Sequence, residues 1–167
     1  MNLKSLLRNL MELIIYYKEG VQMVSSTDLS YIEMAEDIAK ETTCGILEVG
    51  CVIVKDNKVV ATGANTTIEH YEPCDVVGHV LNDEGRCMRQ IHAEANAILN
   101  GNKDDIKEAT AYVTHEPCEY CTKLLNHSGI KKVVFKNSYP NPYNKHFIKP
   151  MEWIYLKNEG GTKNEVN

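Results

Sequence analysis

Two stretches of the sequence decide its fold: QIHAEANAIL at residues 90–99 and YVTHEPCEYC at residues 112–121. HAEANAILNG predicts a helix that ends at Gly101, and ATAYVTH predicts a strand. CEYCTKLLNHSG then predicts a second helix, which ends at Gly129, and IKKVVF predicts a further strand. Two successive strand and helix alternations are typical of right-handed crossovers. They predict an α/β sandwich in which the strand ends point at a common site.

The preceding residues add a helix, a hairpin and a long connection. Residues 25–44, SSTDLSYIEMAEDIAKETTC, begin with N-cap residues and continue with apolar residues at helical spacing, which predicts a helix. Residues 49–63, VGCVIVKDNKVVATG, have two β-branched runs around Asp56 and Asn57, which tolerate the positive φ angles of a tight hairpin. Residues 64–91 are mostly polar and show no period, so we expect a long connection of a kind that usually has a function.

The composition bounds the class of protein. The chain has 167 residues, 43% of them hydrophobic, which suits one globular domain. Its net charge of −5 should repel a nucleic-acid backbone, so a polymer substrate is disfavoured. The apolar run at residues 10–17 is too short to span a membrane and has no signal-peptide cleavage site after it. We therefore expect a cytoplasmic protein whose six cysteines stay reduced and serve as ligands or core residues.

The two ends of the chain lie outside the expected domain. Residues 1–22 carry a helical apolar stripe that could pack on a neighbouring subunit, or they could be adventitious, with translation starting at Met23. We expect a single domain over residues 23–157 and a flexible tail over residues 158–167.

Three residues form the ligand set of a zinc site. Cys118 and Cys121 are separated by two residues, and with His92 they make a Cys₂His set that leaves a fourth position open, as in catalytic zinc sites. Glu94 stands two residues from the histidine and can move protons at that position without binding the metal. The helix start predicted at Cys118 and Cys121 would favour the thiolate form of both residues.

Each part of this pattern is weak alone. A lone Cys-x2-Cys can be a structural half-site or chance, and His-x-Glu by itself says almost nothing. Together, with a proline before the first cysteine, they match the His-x-Glu…Pro-Cys-x2-Cys pattern of zinc deaminases. The spacing alone predicts a zinc deaminase of some cytosine, adenine or guanine compound.

The same residues resemble a known family. GRCMRQIHAEANAIL, AYVTHEPCEYCTKLLNHSGIKKVVF and VGCVIVKDNKVVATGAN resemble the deoxycytidylate (dCMP) deaminases of the cytidine deaminase-like superfamily, from about residue 29 to residue 139. The resemblance implies a three-layer α/β/α sandwich with a mixed five-stranded sheet and a homohexamer. It also implies hydrolytic deamination of dCMP to dUMP, which feeds thymidylate synthesis.

Three residues are candidates for substrate binding. The resemblance implies that Asn65 hydrogen-bonds the sugar hydroxyl, although Asn65 could also be only a turn residue. Arg89 could meet the phosphate with its guanidinium or could be a solvated surface residue. Tyr139 matches a tyrosine near the end of the family's site and could close over base or sugar, or could cover the sheet edge.

The remaining cysteines suggest a second, structural zinc. Some family members carry one that uses cysteines at the positions of Cys44 and Cys74, so the resemblance implies those two ligands. We infer that His79 and Cys87 complete a tetrahedral set and order the long connection. The alternative is that these cysteines are buried small hydrophobic residues, as we expect for Cys51.

Other functions stay open at this stage. A deaminase of dCTP or of a modified cytosine nucleotide would use the same chemistry, and a non-catalytic zinc-bearing interaction module would have no use for Glu94. An RNA-editing adenosine deaminase is disfavoured by the acidic balance. Family members controlled by dCTP and dTTP usually carry Gly-Tyr-Asn-Gly after the second strand. This chain has Ala64 and Thr66 in that motif, so we expect weak or absent control by these triphosphates.

Overall fold

The computed structural model describes residues 25–139 and 141–156. The predictions for residues 1–22, Met23 and the tail at residues 158–167 lie outside the described residues. The described elements, in chain order, are α1 (Ser26–Ala39), β1 (Gly50–Lys55), β2 (Lys58–Ala64), β3 (Thr66–Thr67), α2 (Cys74–Val77), β4 (Gln90–Ile91), α3 (Ala93–Asn100), α4 (Lys103–Ile106), β5 (Thr110–His115), α5 (Glu119–His127), β6 (Lys132–Asn137), a 3-10 turn (Asn144–His146) and β7 (Glu152–Tyr155).

One mixed sheet forms the centre of the fold. Its strand order is β2-β1-β5-β6-β7, in which β1 runs antiparallel to β2 and β5, while β5, β6 and β7 are mutually parallel. Side chains of β1 alternate between the two faces, so Val52 packs with residues of α1 and Ile53 packs with residues of α3 and α5. The predicted three-layer α/β/α sandwich with a mixed five-stranded sheet is confirmed.

Two glycines let the helices lie close to the sheet. A Cβ atom on Gly50 would overlap the carbonyl oxygen of Ala35 in α1. A Cβ atom on Gly63 would overlap the backbone of α3 at Ala97. At each of these contacts the backbones of helix and strand are so close that only the hydrogen side chain of glycine fits between them.

The predicted turns and helix ends are present, but the reason for glycine at position 101 differs from the prediction. Asp56 and Asn57 have φ angles of 50° and 59°, which confirms the tight hairpin between β1 and β2. Gly129 follows α5 with a φ of 83°, as a left-handed helix end requires. Gly101 ends α3 but is extended, with a φ of −94°, so its conformation does not need glycine. Space explains the residue, since a Cβ atom there would lie 2.7 Å from Cδ1 of Ile106.

The structure differs from the predictions in the irregular parts of the chain. The first helix ends at Ala39, so Cys44 lies in the following loop. The connection at residues 64–91 contains α2, and its ends are joined by the pairing of β3 with β4. The short elements α4 and β7 carry no periodic signal and were not located from the sequence. None of the helices within the described ranges is long and apolar enough to cross a membrane.

Candidate active site

Three predicted ligands meet where two helices begin. His92 is the N-cap of α3, Cys118 is the N-cap of α5, and Cys121 lies in the first turn of α5. The Nδ1 atom of His92 lies 3.5 Å from Sγ of Cys118 and 3.4 Å from Sγ of Cys121. The ligand atoms of all three lie within 4.8 Å of one another.

These separations fit a zinc ion. With Zn–S and Zn–N bonds of about 2.3 and 2.0 Å, two corners of a tetrahedron occupied by S and N are about 3.5 Å apart. Hydrogen bonds from the Cys121 thiol and from His92 lower the pKa of Cys118 to about 4, although burial acts in the opposite direction. The hydrogen bond with Cys118 in turn raises the pKa of His92. Cys118 thus favours the thiolate, the form that binds zinc. The pKa of Cys121 is instead raised by its hydrogen bond with Cys118 and by burial, so the predicted thiolate form is favoured at only one of the two cysteines. Three donors leave one tetrahedral corner open.

Glu94 lies beside this cluster but outside the ligand set. It is in the first turn of α3, and only 3% of its surface is exposed. Burial raises its pKa, and the side chain of Cys121 hydrogen-bonds to it. A carboxyl group whose pKa is raised in this way is suited to accept and return a proton, which is what a general acid and base requires.

The cluster opens into a cavity of about 330 Å³. Asn65 and Tyr139, two of the predicted substrate-binding residues, line it. Asn65 is 7% exposed, its Oδ1 accepts a hydrogen bond from N–H of Val49 at 2.8 Å, and its Nδ2 donates to the carbonyl of Leu47 at 2.7 Å. The asparagine therefore holds the loop at the cavity wall, and each polar atom keeps capacity for one more hydrogen bond.

Arg89 is not brought to the cavity. Its Nη2 donates to the carbonyl oxygen of Glu72 at 2.7 Å, and the residue is not among those that line the cavity wall. Arg86, three residues earlier, lines the cavity instead. Both arginines precede His92 in the sequence, and no pattern in the sequence indicates which of them faces the cavity.

Sequence reasoning also missed a buried asparagine, Asn144, that contacts the residues flanking Cys118 and Cys121. Asn144 is 4% exposed, and its Nδ2 donates to the carbonyl of Pro117 at 2.8 Å and to Oε1 of Glu116 at 3.2 Å. Its Oδ1 accepts from the hydroxyl of Thr122 at 2.9 Å. Glu116 in turn accepts from the N–H of Tyr139 at 3.3 Å. Asn144 thus fixes the residues on either side of the cysteine pair.

A second cluster contains the four residues suggested for a structural zinc. Sγ of Cys44 lies 3.5 Å from Nδ1 of His79, and Sγ of Cys74 lies 3.7 Å from Sγ of Cys87. All four donor atoms lie within 4.8 Å of one another. Two sulfur ligands of a tetrahedral zinc are about 3.8 Å apart, so the donors fit that ion.

The surroundings of the second cluster are partly buried. Cys44 and Cys74 are buried, His79 is exposed, and burial raises the pKa of Cys44 to about 11. Although burial acts against it, hydrogen bonds from the backbone of Arg89 and from His79 and Cys74 lower the pKa of Cys87 to about 7. The cluster closes the connection between β3 and β4, and Cys44 and Cys87 also line the cavity.

A sheet covered by helices on both faces, with His, Cys and Cys donors and a buried non-ligand glutamate, defines the class of zinc-dependent deaminases. Residues 25–137 match the family described as the cytidine and deoxycytidylate deaminase zinc-binding region. The chain belongs to this family.

Individual relatives agree with this assignment. The chain is 34% identical over 119 residues to the deoxycytidylate deaminase of Mycobacterium phage D29, a match that covers 65% of this chain and 92% of the relative. It is 39% identical over 109 residues to ComE operon protein 2 of Bacillus subtilis, which covers 64% of this chain but only 57% of that relative. Among solved structures, the dCMP deaminase of cyanophage S-TIM5, in complex with dCMP and dUMP, is similar with a TM-score of 0.68 at 25% identity. That match covers 81% of this chain and 100% of the other.

Proposed function

We propose that the protein is a zinc-dependent deaminase that hydrolyses dCMP to dUMP and ammonia, and so supplies dUMP for thymidylate synthesis. One observation carries the proposal: the buried carboxyl of Glu94 lies beside the His92, Cys118 and Cys121 donors at the wall of a cavity of about 330 Å³. A cavity of this size is within the range of small-molecule sites. The named activities of the phage relatives support dCMP as the substrate.

Each residue has a defined role in this proposal. His92, Cys118 and Cys121 hold zinc, which would supply a water activated for attack at neutral pH. Glu94 takes a proton from the attacking water and delivers it to ring N3 of cytosine. The oxygen of that water bonds to C4, and Glu94 then passes the second proton of the water to the amino group on C4, which leaves as ammonia. Its buried position, which raises its pKa, suits both transfers.

Two other residues of the cavity wall are assigned to substrate. Asn65 hydrogen-bonds the sugar hydroxyl with the free capacity of its amide, and Tyr139 covers base or sugar. Arg89 was the sequence candidate for the phosphate. Its hydrogen bond to the carbonyl of Glu72 makes it a support of the connection at residues 64–91 in this proposal rather than a phosphate ligand.

The second cluster is proposed as a structural zinc site with Cys44, Cys74, His79 and Cys87 as its ligands. Four donors at tetrahedral separations support it. The site would order a connection that buries little apolar surface of its own.

We further propose one deaminase domain over residues 23–157, a cytoplasmic location and a homohexamer. The family match over residues 25–137 supports the domain. All six cysteines are free, which suits a reducing compartment. Exposed apolar side chains on α3 and α5, such as Leu99 and Tyr120, offer surfaces for assembly. Light scattering behind a sizing column would measure the number of subunits.

A substrate panel tests the function. Zinc-loaded protein is incubated with dCMP, dCTP, cytidine and tRNA, and ammonia release is measured for each. We expect turnover of dCMP to exceed that of the others. Preference for dCTP would identify a deaminase of another nucleotide, and no ammonia from any substrate would indicate a non-catalytic zinc module.

A further inference from the structure

Acidic side chains outnumber lysine and arginine side chains on the described cavity wall. Away from the zinc donors, Glu84 and Glu116 contribute acidic side chains to the lining, and among the described residues Arg86 is the only lysine or arginine that lines it. The phosphate of a nucleoside monophosphate carries about two negative charges at neutral pH. Unless a cation meets it, the phosphate would therefore be repelled by this wall.

Arg86 is carried at the tip of a small, well-defined hairpin. The N–H of Met88 donates to the carbonyl of Val80 at 2.7 Å, and the N–H of Asn82 donates to the carbonyl of Arg86 at 3.0 Å. Gly85 turns the tip with a φ of 75°, and the side chain of Asn82 accepts from the N–H of Arg86 at 2.9 Å. The backbone that carries Arg86 is thus held at both ends of the tip.

The guanidinium has two neighbours. Its Nε lies 3.1 Å from Oε2 of Glu84, and its Cζ lies 5.3 Å from the centre of the Tyr139 ring. The side chains of Arg86 and Glu84 are 41% and 66% exposed, so this ion pair contributes little to stability and can be exchanged for another anion. The ring of Tyr139 would keep the guanidinium on the cavity wall during that exchange.

We propose that Arg86 binds the phosphate of the nucleoside monophosphate and that Glu84 restricts the site to a single phosphate. This inference rests on the proposed function and specifies how the substrate is selected. A guanidinium meets phosphate oxygens with paired N–H donors, and binding exchanges the Glu84 carboxylate for the phosphate. Glu84, once displaced, remains beside the site and repels any further phosphate group. The free nucleoside gains nothing from Arg86, and a triphosphate is opposed by Glu84.

The experiment compares substrates within each variant. kcat/KM is measured for dCMP, deoxycytidine and dCTP with zinc-loaded wild type, Arg86→Gln, Arg86→Lys and Glu84→Gln. Arg86→Gln should lower kcat/KM for dCMP by about 10- to 100-fold, mainly through KM, as expected for lost hydrogen bonds to a charged group, and leave deoxycytidine unchanged. Arg86→Lys should restore part of the loss. Glu84→Gln should raise the use of dCTP relative to dCMP.

Controls separate this inference from the function itself. Turnover of dCMP by the wild type tests the function, and calorimetric binding of dUMP to wild type and Arg86→Gln tests the phosphate contact without turnover. Lys58→Gln, an exposed change in the hairpin of β1 and β2, removes the same charge and should keep the wild-type ratio of dCMP to deoxycytidine. Equal loss for dCMP and deoxycytidine in Arg86→Gln, unchanged dUMP binding, or a fall in the ratio in Arg89→Gln but not in Arg86→Gln would overturn the assignment.

Discussion

The Nδ1 atom of His92 lies 3.5 Å from the Sγ atom of Cys118, and each residue is the N-cap of its own helix. The partial positive charges of two helix starts therefore lie at the same cluster, where they favour a thiolate. Glu94, two residues into α3 and buried, lies on the cavity side of this arrangement.

Replacing that carboxyl should separate metal binding from catalysis. We expect Glu94→Gln to bind zinc like the wild type and to lose about 10²- to 10⁴-fold in kcat, because the amide cannot take and return protons. Zinc content by mass spectrometry and ammonia release from dCMP measure the two effects. Glu33→Gln, an exposed change on α1, serves as the control. Activity retained in a zinc-loaded Glu94→Gln protein would remove this glutamate from the mechanism.

The second cluster predicts the metal content. Purified protein should contain about two zinc ions per chain, and Cys74→Ser should lose about one of them because four ligands set the affinity of a structural site. Cys51 is fully buried in the core and lies outside both clusters, so Cys51→Ala is the matched control and should keep both ions. About one zinc per chain in the wild type, unaffected by Cys74→Ser, would return the four residues to a packing role.

Regular patterns in the sequence predicted the alternation of strands and helices, because period and turn chemistry act locally. The spacing of His92, Glu94, Cys118 and Cys121 predicted the zinc cluster, and the family resemblance implied the mixed five-stranded sheet. Asp56 and Asn57 predicted the hairpin, and their positive φ angles confirm the reason. The strand β7 was missed because its four residues, Glu152–Tyr155, are fixed by pairing with β6 rather than by a pattern of their own.

The placement of the other residues around the site could not be predicted for a different reason. Arg86 and Arg89 lie in one irregular segment, where no period says which side chain faces the cavity. Asn144 contacts Thr122 across 22 positions of sequence, a pairing that only the folded chain creates. The second cluster needed four ligands from one loop and one connection, so spacing could suggest it but could not show that the donors converge.

Control by triphosphates should be weak. In the motif at residues 63–66, Gly63 packs against the backbone of α3, and the hydroxyl of Thr66 accepts from Nδ2 of Asn96 at 3.0 Å. Ala64 is 5% exposed and has no aromatic ring to offer a nucleotide. We expect hyperbolic dCMP saturation with little response to dCTP or dTTP. A sigmoidal curve that becomes hyperbolic with dCTP would contradict this expectation.

The last prediction concerns a carboxylate that ties α1 to the sheet. One oxygen of Asp28 accepts from the N–H and the hydroxyl of Ser25 at 3.0 and 2.8 Å. The other accepts from the hydroxyl of Tyr112 at 2.8 Å and from the ammonium of Lys132 at 3.1 Å. Burial alone would raise the pKa of Asp28, but these donors outweigh it and hold the pKa below its ordinary value of 3.8.

A carboxylate whose pKa is lower in the folded than in the unfolded state stabilises the fold at pH values above its unfolded-state pKa. This contribution is lost as the pH falls through its folded-state pKa. Asp28→Asn should therefore lower the free energy of unfolding by about 1–3 kcal/mol at pH 7, and the gap to the wild type should narrow once the pH falls below about 4. Urea unfolding of both proteins across this range measures the gap, and loss of zinc in acid affects both alike. Asp37→Asn, which removes an exposed pair with Lys40, should change the free energy by less than about 0.5 kcal/mol. A gap for Asp28→Asn that stays constant from neutral to acid pH would show that the charge of this carboxylate does not stabilise the fold.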